Sequence, residues 1–243
     1  MEFKKIFLKR CSKIFMSMCV LSILTSGGAE AFNSTTHKYV TETSIKAVSN
    51  INKNIQFNEE ECNVIADYSL KPDEDEIEGA YKLHFFNPVN EKNFMGEKKS
   101  ASSKCDEHFS EAIKHFKCGN KIMALQELGR AIHFMEDLNT PVHTGYSKSV
   151  DAVLMFPLHI RFEKICDDVC KECKSDVKTE NLKYYEENDL VDISKNSAST
   201  SSDNYWCLTN ETGISDKEIA KNAVSNALNN VSGIIHKFYI QIS

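Results

Sequence analysis

The chain has 243 residues, of which 41% are hydrophobic and 26% are charged, an ordinary composition for a globular protein of one large or two small domains. Its net charge of −6 excludes the strongly basic surface that duplex nucleic acid requires. These values indicate a folded protein for which no nucleic-acid partner is expected.

The first 31 residues have the three parts of a secretory leader. A cationic start is followed by the apolar stretch "IFMSMCVLSILT" and by the small-residue end "GGAEA". The apolar stretch is well short of the roughly 20 residues that span a membrane, so an uncleaved membrane anchor is the weaker alternative. We predict a signal peptide over residues 1–31, cleavage after Ala31, and a secreted chain of residues 32–243. The secreted chain would keep 24 basic and 33 acidic side chains, a net charge of −9.

The rest of the chain is predicted to be helical, because apolar residues recur at helical spacing and there are only four Pro and nine Gly. In the longest segment Ser215 is the expected N-cap, with Glu218 three residues later. We expect polar loops over 87–104 and 189–213. No internal repeat or domain boundary is evident, so the expected fold is an all-α, single-domain, multi-helix bundle. The predicted helices cover 37–51, 59–69, 105–116, 120–138, 159–173 and 215–240.

Seven cysteines remain after removal of the leader. Export permits disulfides, but an odd number leaves one thiol spare or available to another molecule. Cys166, Cys170 and Cys173 form a C-x3-C-x2-C pattern, for which a structural metal clip is the alternative. The spacing alone does not give the connectivity.

The stretch "AIHFMEDLNTPVHTGY" carries the strongest chemical signal. His133 and Asp137 are four residues apart and share one helix face with apolar neighbours. A buried, unpartnered Asp costs several kcal/mol or stays protonated, and a divalent cation removes that difficulty. Pro141 ends the helix, and His143 returns from the following loop. Two His and one Asp at this spacing suit zinc; the alternative is a capped helix end with hydrogen-bonded core histidines.

Three further features are weak when taken alone. His159 and Glu163 repeat the four-residue spacing, which an exposed ion pair also explains. Asp73 and His84 flank a Gly, and the acidic cluster that includes Asp73 is by itself typical of a solvated loop. His37 follows soon after the predicted mature start, where a lone His is usually at the surface.

Together these segments resemble the bacterial zinc-dependent phospholipase C family of the lecithinase type over most of residues 32–165. The carriers are His37, "PDEDE", "GAY", "HFFNP", "LGRAIHFMEDLNTPVH" and "HIRFE". The resemblance implies a helical bundle that holds three zinc ions, with the processed N-terminus as one ligand. By motif, the first zinc would be held by Asp73, His84, His133 and Asp137, the second by His143, His159 and Glu163, and the third by the terminal amine and carbonyl of Phe32 with His37 and a shared Asp137.

Some features depart from the family pattern. The mature chain would begin with Phe32, where family members usually have Trp. The short spacing from Phe32 to His37 is closer to the related single-strand-specific nucleases, which share the trinuclear site, whereas Glu163 matches the phospholipases. Asp67 of "ADYSL" is an alternative to Asp73 as the first-zinc ligand.

The resemblance implies a secreted phospholipase C. Zinc lowers the pKa of a bound water to roughly 7, and the hydroxide would attack phosphorus in a glycerophospholipid such as phosphatidylcholine. The products would be diacylglycerol and a phosphorylated head group, with Asp73 and Glu163 as the catalytic candidates. We expect a monomer at a phospholipid surface, without a C-terminal membrane-binding β-sandwich domain. The alternatives are a single-strand nuclease or 3′-nucleotidase on the same site, and a non-catalytic helical surface protein.

Overall fold

The computed structural model describes residues 34–75 and 80–243. The predicted signal peptide and Phe32 lie outside this range. The described residues are mainly helical and contain no strand, apart from an isolated bridge between Asn87 and Lys92, so the predicted all-α fold is confirmed. The helices are α1 (Ser34–Ile51), α2 (Glu59–Tyr68), α3 (Lys71–Glu74), α4 (Ala101–Lys117), α5 (Lys121–Leu138), α6 (Pro141–Thr144), α7 (Ser149–Leu154), α8 (Phe156–Val169), α9 (Thr179–Glu187), α10 (Leu190–Thr209) and α11 (Asp216–Ile242). Two 3₁₀ turns cover Tyr81–His84 and Cys170–Glu172.

Helix α5 is the centre of the bundle. Every residue from Ala131 to Leu138 is buried, which places polar and apolar side chains of its last two turns in the interior alike. Helix α5 packs against α4 on one side and α2 on another, and α11 packs against α1, α8 and α9. The polar residues of α5 are therefore enclosed on several sides by other helices.

Gly129 permits the close approach of α2 to α5. A Cβ at this position would lie 2.5 Å from the backbone oxygen of Ile65 and 2.8 Å from Cβ of Tyr68. Because α3 follows α2 within three residues, this packing also fixes where Asp73 enters the interior.

Helix ends follow the sequence signals. The side chain of Asn58 accepts a hydrogen bond from the backbone N–H of Glu61, and the Glu61 side chain returns the bond to Asn58. Ser215 caps α11 by accepting from the backbone N–H of Glu218, as predicted.

The expected loop over 189–213 is wrong, because most of it forms α10. Asp189 caps this helix by accepting from the backbone N–H of Asp192. The serines on its inner face are small enough for close packing, and Ser197 donates to the carbonyl of Ile193 one turn earlier. The composition looked like a loop because the inward stripe contains few large apolar residues. The other expected loop, 87–104, ends earlier, since α4 begins at Ala101.

The seven cysteines of the described chain are all free thiols, so none of the disulfides that export permits joins them. The groups of metal-binding atoms found within residues 34–75 and 80–243 consist of His, Asp and Glu, and none includes Cys166, Cys170 or Cys173. Within the same residues, no helix combines the length and apolar character needed to cross a membrane.

Candidate metal centre

Eight side chains predicted from the sequence meet in the interior, although they come from six separate helices or turns. All are buried or nearly so, with the most exposed side chain, that of Asp73, at 9%. They are His37 of α1, Asp73 of α3, His84 of the first 3₁₀ turn, His133 and Asp137 of α5, His143 of α6, and His159 and Glu163 of α8. Three groups of three have ligand atoms within 4.8 Å of one another.

The first group is His84, His133 and Asp137. Asp137 Oδ2 lies 3.0 Å from His84 Nδ1 and 3.5 Å from His133 Nε2, and these two ring nitrogens lie 3.0 Å apart. The four-residue spacing on α5 therefore does place His133 and Asp137 on one inward face. Asp73 adjoins this group, since its Oδ1 lies 3.6 Å from His84 Nδ1.

The second group is His143, His159 and Glu163. His159 Nε2 lies 2.5 Å from Glu163 Oε1, and His143 Nε2 lies 3.7 Å from the same oxygen. Pro141 starts the short helix α6 that turns His143 back into the interior. His159 and Glu163 share one face of α8, so this pair is buried in the centre rather than an exposed ion pair.

The third group is His37, Asp73 and His133. His37 Nε2 lies 3.9 Å from Asp73 Oδ2, and the His37 ring stacks on that of His133 with centroids 4.4 Å apart. The sequence had paired His37 with Asp137, but the two Asp137 oxygens face His84 and His143. Asp67 lies exposed on α2, outside all three groups, so Asp73 is the carboxylate that accompanies the histidines.

Backbone carbonyls fix the proton position on two of the rings. His133 Nδ1 donates to the carbonyl of Ser69 at 2.8 Å, and His143 Nδ1 donates to the carbonyl of His84 at 2.7 Å. Each neutral ring then keeps a lone pair on Nε2, the nitrogen that faces the other members of its group. The backbone N–H of Phe86, two residues after the 3₁₀ turn, donates to the carbonyl of His143 at 3.0 Å, so the turn and the residues that follow it are both bonded to α6.

Burial controls the charge state of the centre. It lowers the pKa of His37 to about 3 and holds the pKa of His133 and of His143 well below the usual value, with neighbouring histidines adding to the effect. The rings are therefore neutral, which is the form that binds metal. Burial, followed by the charge of Glu163, raises the pKa of Asp137 well above its usual value. A positive charge at this place would restore the carboxylate.

The donor set fits divalent zinc. Asp137 Oδ1 and His143 Nε2 are buried polar atoms that form no hydrogen bond with the described part of the chain. Buried polar atoms of this kind are costly, and a metal ion satisfies both without a further donor or acceptor. Imidazole nitrogens and carboxylate oxygens are ordinary zinc ligands, and no thiolate is needed.

Aromatic side chains enclose the second group, and their contacts become visible only in the folded chain. The Tyr81 hydroxyl lies 3.4 Å from His159 Nδ1, and the Phe85 ring stacks on His143 with centroids 4.5 Å apart. Tyr81 also packs edge-on against Phe85, at 4.7 Å between centroids. Tyr81 and Phe85 thus hold the rings of His159 and His143 from behind.

The comparison with known proteins bears on this centre. No protein-family profile matches the chain. A phospholipase C of Clostridium perfringens is 28% identical over 186 residues, which cover 67% of this chain and 45% of the relative. The predicted resemblance to the phospholipase C family is confirmed. The chain spans less than half the length of this phospholipase C relative.

Solved structures show the same fold. The alpha-toxin of an avian Clostridium perfringens strain matches with a TM-score of 0.72 at 23% identity, over 89% of this chain and 65% of that chain. The alpha-toxin of Clostridium absonum matches with a TM-score of 0.74 at 22% identity, over 89% of this chain and 66% of that chain. The fold shared with these alpha-toxins therefore covers nearly the whole described bundle.

Proposed function

We propose that this protein is a zinc-dependent phosphodiesterase of the phospholipase C type. The observation that carries the proposal is that three groups of His and carboxylate side chains adjoin one another at one buried centre. The fold that holds them is shared with clostridial alpha-toxins. The 28% identity to a phospholipase C favours a phosphoric diester as the substrate class. An ordinary buried His–carboxylate network would not need three adjoining groups of ligand atoms.

Three zinc ions are proposed, held by the eight described ligands together with the terminal amine and carbonyl of Phe32. Asp73, His84, His133 and Asp137 would hold one ion, His143, His159 and Glu163 a second, and His37 a third, beside Asp73 and the terminal amine. When bound, zinc supplies Lewis-acid chemistry and a water of lowered pKa. Asp73, Asp137 and Glu163 offset about half of the charge of three zinc ions, which leaves a positive field for the phosphodiester anion.

Two carboxylates of the chain are assigned separate roles in the reaction. Asp73 has the most accessible side chain of the eight, at 9%, whereas those of His37 and His133 are fully buried. We assign Asp73 to orient the attacking water and to accept its proton, while Glu163 holds its histidine partners in place. Water adds to phosphorus while the bond between phosphorus and the diacylglycerol oxygen breaks, and that oxygen takes up the proton that Asp73 accepted. The products are diacylglycerol and the phosphorylated head group.

The proposed setting is extracellular, at a phospholipid surface, with the protein acting as a monomer. The leader pattern over 1–31 and the phospholipase C relative support export, and removal of the leader would expose the amine of Phe32. The proposed net charge of −9 for the exported chain of 24 basic and 33 acidic side chains disfavours a nucleic-acid substrate. Phosphatidylcholine is the phospholipid to test first.

An activity panel tests this function. Protein purified from the medium of a secreting host is assayed on phosphatidylcholine vesicles, single-stranded DNA and 3′-nucleotides, each with and without a zinc chelator. We expect chelator-sensitive release of diacylglycerol and of the phosphorylated head group. Release of nucleotides or nucleosides with no lipid turnover would instead establish the nuclease alternative, and no turnover of any substrate by zinc-loaded protein would remove the enzymatic proposal.

A further inference from the structure

A fourth buried carboxylate, that of Glu136, adjoins the three groups without belonging to them. Glu136 precedes Asp137 on α5 and is fully buried. Its Oε2 forms a short hydrogen bond with His37 Nδ1, and its Oε1 accepts one from the Thr41 hydroxyl at 3.1 Å. Both partners belong to α1 and lie one helical turn apart, so each carboxylate oxygen has its own donor on the same helix face.

We propose that Glu136 is a positioning residue that orients His37 for metal binding, an inference that rests on the proposed function. Donation from Nδ1 fixes the His37 proton on that nitrogen and leaves the lone pair on Nε2. Nε2 is the nitrogen that lies 3.9 Å from Asp73 Oδ2. The carboxylate also makes the imidazole a stronger donor to the metal, as in other carboxylate–histidine–zinc arrangements.

The support for His37 differs from that of the other histidines on this side of the centre. His133 is held by the backbone carbonyl of Ser69, at 2.8 Å, which carries only a partial charge. His37 is held by a carboxylate that Thr41 keeps from rotating. The Glu136 side chain, held by Thr41, therefore supports the His37 ring directly from behind through a side-chain hydrogen bond. This support strengthens a site that otherwise depends on the His37 imidazole and Asp73.

A second Glu of α5 that is paired with a His provides the control. Glu127 Oε2 of α5 lies 2.6 Å from Nδ1 of His108 on α4, so it forms a second Glu–His pair between α5 and a neighbouring helix. Neither residue belongs to the three groups. Glu127→Gln therefore changes the same functional group on the same helix without touching a predicted ligand.

The experiment measures zinc per chain in the secreted protein after dialysis against graded chelator concentrations. We expect Glu136→Met to lose one zinc per chain at a chelator concentration about 10–100-fold lower than wild type, while the other ions are retained as in wild type. Glu136→Gln should be intermediate, because its amide oxygen still accepts from His37 Nδ1 but carries no charge. Glu127→Gln should match wild type.

A spectroscopic readout separates positioning from a general packing defect. After replacement of zinc with Co²⁺, the visible absorption of the Glu136 variants should change, and that of Glu127→Gln should not. Equal zinc retention and equal Co²⁺ spectra in wild type and Glu136→Gln would overturn the inference while leaving the proposed function intact. If Glu136→Met does not fold, Glu136→Gln decides the question by the same two readouts. Wild-type protein that binds no zinc would remove the proposed function and this inference with it.

Discussion

Asp137 Oδ2 lies 3.0 Å from Nδ1 of His84 in the interior of the bundle, although 53 residues separate the two in sequence. Its other oxygen faces His143, with 3.9 Å between Oδ1 and Nδ1. One carboxylate thus adjoins both the first and the second group. Because it is fully buried, it needs a positive partner to be charged.

Asp137→Asn tests this shared role. The amide keeps the size of the side chain but cannot supply a negative oxygen to a cation. We therefore expect a loss of bound zinc and a fall in the proposed phospholipase activity of at least about 100-fold, the scale of several kcal/mol of metal-ion stabilisation. Glu127→Gln on the same helix is the control and should stay near wild type. Wild-type zinc content in Asp137→Asn would contradict the assignment.

Tyr81→Phe tests the support behind the second group. The variant removes the hydroxyl that lies 3.4 Å from His159 Nδ1 but keeps the ring that packs against Phe85. We expect activity to fall about tenfold, as for other groups that orient a metal ligand, with little change in melting temperature. Tyr146→Phe is the matched control, because that hydroxyl donates to the carbonyl of Met155 rather than to a histidine. An equal loss of activity in both variants would point to packing instead.

The sequence was informative where the pattern of large apolar side chains determines the structure. The stripe and cap of α11 and the inward face of α5 predicted both helices close to their observed bounds. Helix α10 was not predicted, because its buried face is made largely of serine and alanine. A sequence rich in small polar side chains is typical of a loop. In the bundle these side chains allow close packing, and hydroxyls such as that of Ser197 donate hydrogen bonds to backbone carbonyls.

The site could be predicted in part for a related reason. The spacing of His133 and Asp137 places them on one helix face, and Pro141 ends that helix so that His143 can turn back toward them. The family resemblance supplied the remaining ligands. The choice of Asp73 over Asp67 depended on which way α2 and α3 turn, and spacing does not give this. Tyr81 and the Ser69 carbonyl act through contacts between segments distant in sequence, so only the folded chain shows them.

Gly129→Ala tests the close packing of α2 on α5. Alanine favours a helix over glycine by about 1 kcal/mol, so a helix with free space here would be stabilised. The added Cβ would instead lie 2.5 Å from the carbonyl oxygen of Ile65, and we expect a loss of about 1–3 kcal/mol in the free energy of unfolding. Urea denaturation measures the sign directly. A more stable variant would mean that the two helices are farther apart than described.

Cys105 predicts a pH dependence of stability on the alkaline side. Its thiol is fully buried and lies 3.4 Å from the carbonyl of Ala131, and burial raises its pKa well above the usual value. The folded state keeps this proton at a pH where the unfolded chain releases it. The stability contribution is therefore complete below the unfolded pKa of roughly 8.5 and falls by up to about 1.4 kcal/mol per pH unit above it.

Urea midpoints at pH 7 and pH 10 measure this effect. Cys105→Ala should lower stability at pH 7 through the lost packing, yet show a smaller further loss between pH 7 and pH 10 than wild type. Cys118→Ala, which changes an exposed thiol, is the control and should follow the wild-type slope. An unchanged slope in Cys105→Ala would show that the Cys105 thiol does not contribute to alkaline unfolding.

The most direct test of the central claim is the zinc content of the secreted protein, measured by mass spectrometry of the metal in a known amount of chain. The proposed trinuclear site predicts three zinc ions per chain, removed by a strong chelator together with the proposed phospholipase activity. One zinc per chain, or none, after purification without chelator and supplementation with zinc would contradict the account.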